Sequence, residues 1–169
     1  MPAGKAKRQR HAQEFRALLE FIRAQYSEGL RHLHAWRNTP AGSFDGLAHR
    51  DEAYLYLIRL NDSHKDALTF GKLLRTARNH ANIFAAGRDE QKKLRAEFGA
   101  MEAGYERFGD IRERLKTLRD RVFAHNDRSL LDEDGRIIPV PPPGIDDAER
   151  LYGFIGGILT VFSGYSLLE

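Results

Sequence analysis

Residues 94–127 read LRAEFGAMEAGYERFGDIRERLKTLRDRVFAHND, and their periodicity decides the fold class. Leu94, Phe98, Met101, Tyr105 and Phe108 recur at spacings of three and four, and Ile111, Leu115, Leu118 and Val122 continue the stripe. Those spacings return side chains to one face of a helix with about 3.6 residues per turn. The segment therefore reads as helix with a core-facing seam, starting near Asp89. Gly109-Asp110 interrupts it and predicts a kink or a break into two helices.

The same pattern extends outward in both directions. Phe15, Leu18, Leu19, Ile22, Tyr26, Leu30 and Leu33 predict a long first helix ending near Trp36, with Asn38, Pro40 and Gly42 as its stop. Tyr54, Leu55 and Ile58, with Leu57 and Leu60, give a second helix over about Leu47 to Leu60. A third is expected from about Asp66 to Phe84, with Gly87 as a stop. Residues 127–144 read as a loop: Asp132-Glu133-Asp134-Gly135 is a turn cluster, and Pro139 and Pro141-Pro142-Pro143 exclude helix. Asp146 is the expected cap of a last helix, in which Gly153 and Gly157 would let a neighbour approach closely. Residues 1–10 are expected to be a loose basic arm. The sum is a single all-α domain over residues 1–169, a bundle of five or six helices.

Composition narrows the functions. The chain has no cysteine, which excludes disulfides, zinc–thiolate sites and a thiol nucleophile and fits a reducing, cytoplasmic setting. The formal charge is only +3, but Arg far outnumbers Lys. Guanidinium forks hold phosphate in two-point fashion, so the balance favours an anionic partner. No apolar run follows the basic Met1–Arg10, so no secretory leader is expected. Residues 151–168, LYGFIGGILTVFSGYSLL, lack charge but are borderline in length and lack basic anchors at both ends. They read as a buried closing helix, with no membrane association. His32 and His34 lie two apart, on different helix faces, and make a poor metal pair. No metal or cofactor is expected. Trp36 reads as core or interface.

The chemistry-bearing stretch is Leu118-Arg119-Asp120-Arg121-Val122-Phe123-Ala124-His125-Asn126-Asp127, where a helix gives way to the loop. An imidazole with a pKa of about 6.5 exchanges protons near neutrality. Arg119 and Arg121 can hold a phosphate and spread the charge of a phosphorane. RNA brings its own nucleophile, the 2′-hydroxyl, so a metal is unnecessary. His125 could deprotonate that hydroxyl or protonate the leaving 5′-oxygen. Arg121 shares a helix face with His125, whereas Arg119 on an ideal helix points about 120° away. Arg119 reaches His125 only through its long stem, a distorted last turn or a second copy of the chain.

This segment resembles the HEPN superfamily, whose hallmark is an Arg, usually followed by a polar residue, and a His after four to six intervening residues. Here Arg119 and His125 enclose five, with Asp120 as the polar follower. The run into Phe-Ala-His and then Asp127 is similar to the abortive-infection, AbiU-like branch. So is Leu57-Ile58-Arg59-Leu60-Asn61-Asp62 upstream, which resembles that branch's helix-end Arg-Leu-x-Asp; by residue type alone, Arg59 and Asp62 read as structural. Arg59 to His64 and Arg75 to His80 also satisfy the bare spacing, so context singles out His125.

The resemblance implies a helical bundle that dimerises, with the Arg–His motifs of both copies lining a cleft. Active members cut RNA without metal, leaving a 2′,3′-cyclic phosphate and a 5′-hydroxyl, often in toxin–antitoxin or anti-phage systems. Carried over, Arg119 stabilises the phosphate, His125 is the acid/base and Asp120 orients; Arg121, Asn126 and Asp127 contact substrate. Implied partners are RNA, a second copy, and an antitoxin or other defence protein. The toxin branch controlled by AMP transfer has a Tyr two residues after the His; Asp127 stands there, which puts that control in doubt. The alternative is a non-catalytic HEPN module that binds RNA or a partner protein. A third reading, a plain helical interaction protein, makes the motif coincidental.

Overall fold

The computed structural model describes residues 3–62, 64, 66–120 and 141–168. Among them are six α-helices: α1 Ala3–Asn38, α2 Phe44–Asn61, α3 Phe70–Asn79, α4 Arg88–Glu106, α5 Gly109–Leu118 and α6 Ile145–Ser163, with one 3₁₀ turn at Ala81–Ile83. The all-α bundle follows the periodicity. The long α1, 36 residues and about 54 Å at about 1.5 Å per residue, is the spine. It packs along α2 and against α6 and α3; α4 covers α3, and α5 covers α2.

Apolar spacing fixes which faces meet. Phe15, Leu18, Leu19, Ile22 and Leu33 of α1 are buried, as are Leu94, Phe98, Tyr105, Ile111, Leu115 and Leu118 of the α4–α5 seam. On α2 the buried set is Ala53, Tyr54, Leu57, Ile58 and Leu60, with Leu55 only half-buried. Phe15, Phe84, Phe98, Phe162 and Tyr165 form an aromatic cluster at one end, mostly edge-to-face. At the α1–α2 corner, Trp36 packs on Tyr54.

Several boundaries differ from expectation for local reasons. Residues 3–10 are the first turns of α1 rather than a loose arm. They are rich in Ala, Lys, Arg and Gln, all good helix formers, and Arg10 pairs with Glu14 one turn on at 2.8 Å. The corner after α1 uses Gly42 at φ 76° and the Ser43 hydroxyl, which accepts the Gly46 N–H at 3.1 Å. The third helix starts late, capped by Thr69, and is cut short at Asn79 by the 3₁₀ turn. The break at Gly109 separates α4 from α5, and half-buried Phe108 carries the apolar seam across it.

The last helix is capped at Gly144, so Asp146 lies inside the first turn, where its charge favours the helix N-terminus, rather than at the cap. Gly153 and Gly157 face open space, and the close approaches are at Gly156 and Gly29 instead. A methyl at Gly156 would strike the Tyr26 phenol, and one at Gly29 the Tyr152 phenol and Tyr56. Helix α6 ends at Ser163, and the following residues return to the bundle through Leu168 N–H to Ile83 C=O at 2.7 Å. Seven α6 residues are buried, and no helix among the described residues is long and apolar enough to cross a membrane. The buried Tyr54 hydroxyl donates to Pro143 C=O and pins the chain just before α6.

Candidate functional site

The candidate chemistry sits where α2 and α5 end side by side. Asn61 closes α2, its amide donating to Leu57 C=O at 2.6 Å, while its side-chain oxygen accepts from the Tyr105 hydroxyl of α4. That phenol is buried, which pushes its pKa up to about 12 and keeps it a neutral donor. Asp62 caps α2 and accepts the His64 backbone N–H at 2.9 Å. This turn aims the Asp62 carboxylate across to the end of α5.

Arg119 lies at that end. Its Nη1 donates to Asp62 at 2.6 Å and its Nε to Asp120 at 2.7 Å. The two carboxylates hold the guanidinium in one orientation, and Nη2 has no partner among the described residues. The Asp120 hydrogen bond holds the Arg119 pKa above its ordinary value; burial works against this and the Asp62 charge adds to it. A cation at a helix C-terminus is also favoured by the helix dipole. Arg119 and Asp62 are each roughly a quarter exposed, so the pair is shielded yet open to a ligand.

A cavity of about 240 Å³ opens beside this pair, with Asn61, Asp62, Arg112, Lys116 and Arg119 among its lining residues. Arg112 stacks over the Tyr105 ring at 4.2 Å and pairs with Glu106 at 3.1 Å. Lys116 pairs with Glu113 at 3.4 Å. The arrangement can accept an anion on Arg119 from the open side while Asp62 and Asp120 fix the fork.

Of the expected site residues, the structure brings Arg119 and Asp120 together at the end of α5. Arg121, His125, Asn126 and Asp127 lie outside the described residues, as do residues 127–140 of the expected loop. Arg114, one turn before Leu118, pairs with Asp147 of α6 at 2.7 Å. The rival Arg–His spacings are drawn into other contacts. The His80 ring lies 3.8 Å from that of His11, and His64 accepts the Asp66 N–H at 3.3 Å. Arg78 pairs with Glu102. His32 meets His49 rather than His34, their Nδ1 atoms 3.0 Å apart. Among the described residues no group of three His, Cys, Asp or Glu could hold a metal ion.

By residue type, Asp62 has only a structural part. The signal that could have found it is the upstream Arg-Leu-x-Asp. Nothing in a single sequence pairs residues 57 positions apart, as Asp62 and Arg119 are. Arg59 of the same run turns away and rests on the Tyr56 ring at 5.2 Å.

The family model HEPN_AbiU2, described as AbiU2, matches residues 9–161. No curated protein and no solved structure matches the chain. The matched span takes in most of α1, the whole of α2 to α5 and nearly all of α6, and with them Asp62, Arg119 and Asp120. The chain belongs to the AbiU2 family of HEPN proteins.

Proposed function

We propose that the chain is a metal-independent endoribonuclease of a toxin or anti-phage defence system, working at an Arg–His site in a cleft between two copies. The observation that carries this reading is Arg119, fixed by Asp62 and Asp120 beside a cavity with one guanidinium nitrogen unclaimed among the described residues. The family match supports an RNA-directed role. In the proposed reaction the RNA 2′-oxygen attacks the adjacent phosphorus and loses its proton to a base. The bond to the 5′-oxygen breaks, and that oxygen takes a proton. The products are a 2′,3′-cyclic phosphate and a 5′-hydroxyl. Arg119 stabilises the negative charge on the phosphorane, and His125 carries the proton. Asp120 orients Arg119, and Arg121, Asn126 and Asp127 contact the substrate.

One observation favours the second reading, an RNA- or partner-binding module without turnover. Arg119 already meets two carboxylates, as a purely structural ion pair would. His125→Ala separates the two. On the first reading the variant keeps its helical circular dichroism and loses cleavage of RNA in EDTA. A folded wild type that binds RNA without cutting it establishes the second.

A further inference from the structure

The cavity beside Arg119 is not the most cationic place on this face. There, Arg112, Lys116 and Arg119 are matched by Asp62, Glu106 and Glu113. A second cavity of about 260 Å³ adjoins it across Asn61 and Asp62, sharing those two residues and Arg112. Its other lining includes Lys72, Arg75 and His64, and among the described residues its only carboxylate is Asp62. Lys72 and Arg75 are three apart on α3 and share a face. Neither makes an ion pair among the described residues. Arg112, tied to Glu106, forms the wall between the two cavities. Asp62 stands on the shared edge, so an anion is repelled from the edge and drawn to the cations on either side.

We propose that this second cavity is a phosphate subsite for a nucleotide adjacent to the one held at Arg119. The ligand class is then an RNA strand engaging at least two phosphates on one copy of the chain. The proposal rests on the RNA reading above. The two cavities divide the work: Arg119, with its fixed fork and balanced surroundings, positions one phosphate. Lys72 and Arg75, with no ion pair among the described residues, supply affinity through counterion release. A ligand with a single phosphate gains only the first.

The test is equilibrium binding of the full chain to a labelled 2′-O-methyl oligoribonucleotide, which keeps the phosphates and lacks the nucleophile, over a series of salt concentrations. Lys72→Gln/Arg75→Gln is compared with Lys92→Gln/Lys93→Gln, which removes equal charge from the exposed start of α4. The expected result is weaker binding by the first variant alone. Its slope of log affinity against log salt becomes shallower by about 0.7 for each phosphate of a single strand that the variant no longer neutralises. A dinucleotide with one phosphate binds both variants and wild type alike. Unchanged affinity and slope in Lys72→Gln/Arg75→Gln, while wild type binds RNA, overturns the subsite alone. So does an equal loss in both variants, which assigns the effect to general charge. Absence of RNA binding by folded wild type overturns the RNA reading itself and the subsite with it.

Discussion

Arg119 shows how a partly exposed cation is made into a fixed one. A free Arg samples many rotamers, and holding it for a transition state costs side-chain entropy. Here two carboxylates, one adjacent in sequence and one from the end of α2, hold it before any ligand arrives. The Asp62 pair is partly shielded, so its worth to stability is modest. Asp62→Ala should lower the unfolding free energy by about 1 kcal/mol or less, read from urea melts. Its effect on RNA cleavage should be larger, on the order of tenfold or more, because a displaced fork forfeits its hold on the transition state. Arg119→Lys should do nearly as badly as Arg119→Ala, since an ammonium cannot offer Nε to one carboxylate and Nη1 to another. If Arg119→Lys cuts at the wild-type rate, the fork geometry is irrelevant.

At the scale of the helices, small residues decide how closely the spine is covered. Gly29 and Gly156 lie under tyrosine rings, and the Tyr152 hydroxyl donates to Ala53 C=O at 2.9 Å. Gly156→Ala forces the Tyr26 ring to move and should destabilise by about 1–3 kcal/mol. Gly153→Ala and Gly157→Ala meet open space in a helix interior and should stabilise by up to about 1 kcal/mol each. Thermal melts of the three variants check the contrast, and a stabilising Gly156→Ala would show that the packing of α1 on α6 is wrong. This contrast was not legible in the sequence. Spacing placed Gly153, Gly156 and Gly157 on one helix, but only the rotation of α6 against Tyr26 decides which of them is covered. The Gly109 break and the buried seam on either side of it were legible, because the period of the apolar residues and the glycine are local signals.

For the whole molecule, helix number and core faces were readable because each helix buries one periodic stripe. Helix ends were less so. The basic start of α1 looks like a frayed arm by charge and is helical by propensity. The candidate site was half legible: Arg119 and Asp120 stood out by motif, whereas Asp62 enters through a tertiary contact. Two histidines tie the assembly to pH. His32, on α1 against His49 of α2, and His80, against His11, both have pKa values below the ordinary 6.5, chiefly because burial disfavours their charged forms. Beside them, Arg31 and His49 add to the depression at His32 while Glu52 and Glu28 oppose it; at His80, His11 and Lys7 add and Glu14 opposes. The unfolded chain therefore binds more protons than the folded one once pH falls below about 6.5, so stability declines there and levels off below the folded-state pKa values. The melting temperature should drop between pH 7.5 and 5.5, and less so in His32→Gln/His80→Gln. An equal drop in that variant would assign the acid sensitivity to other groups.

Metal-free cutting of RNA by Arg119 and His125 is the central claim. Its most direct test is cleavage of a labelled single-stranded RNA in EDTA by wild type, Arg119→Ala and His125→Ala, with product ends mapped. The predicted result is cutting by wild type alone, leaving a 2′,3′-cyclic phosphate and a 5′-hydroxyl. Cleavage that needs added metal and leaves 5′-phosphate ends, or that persists in folded His125→Ala, would contradict it.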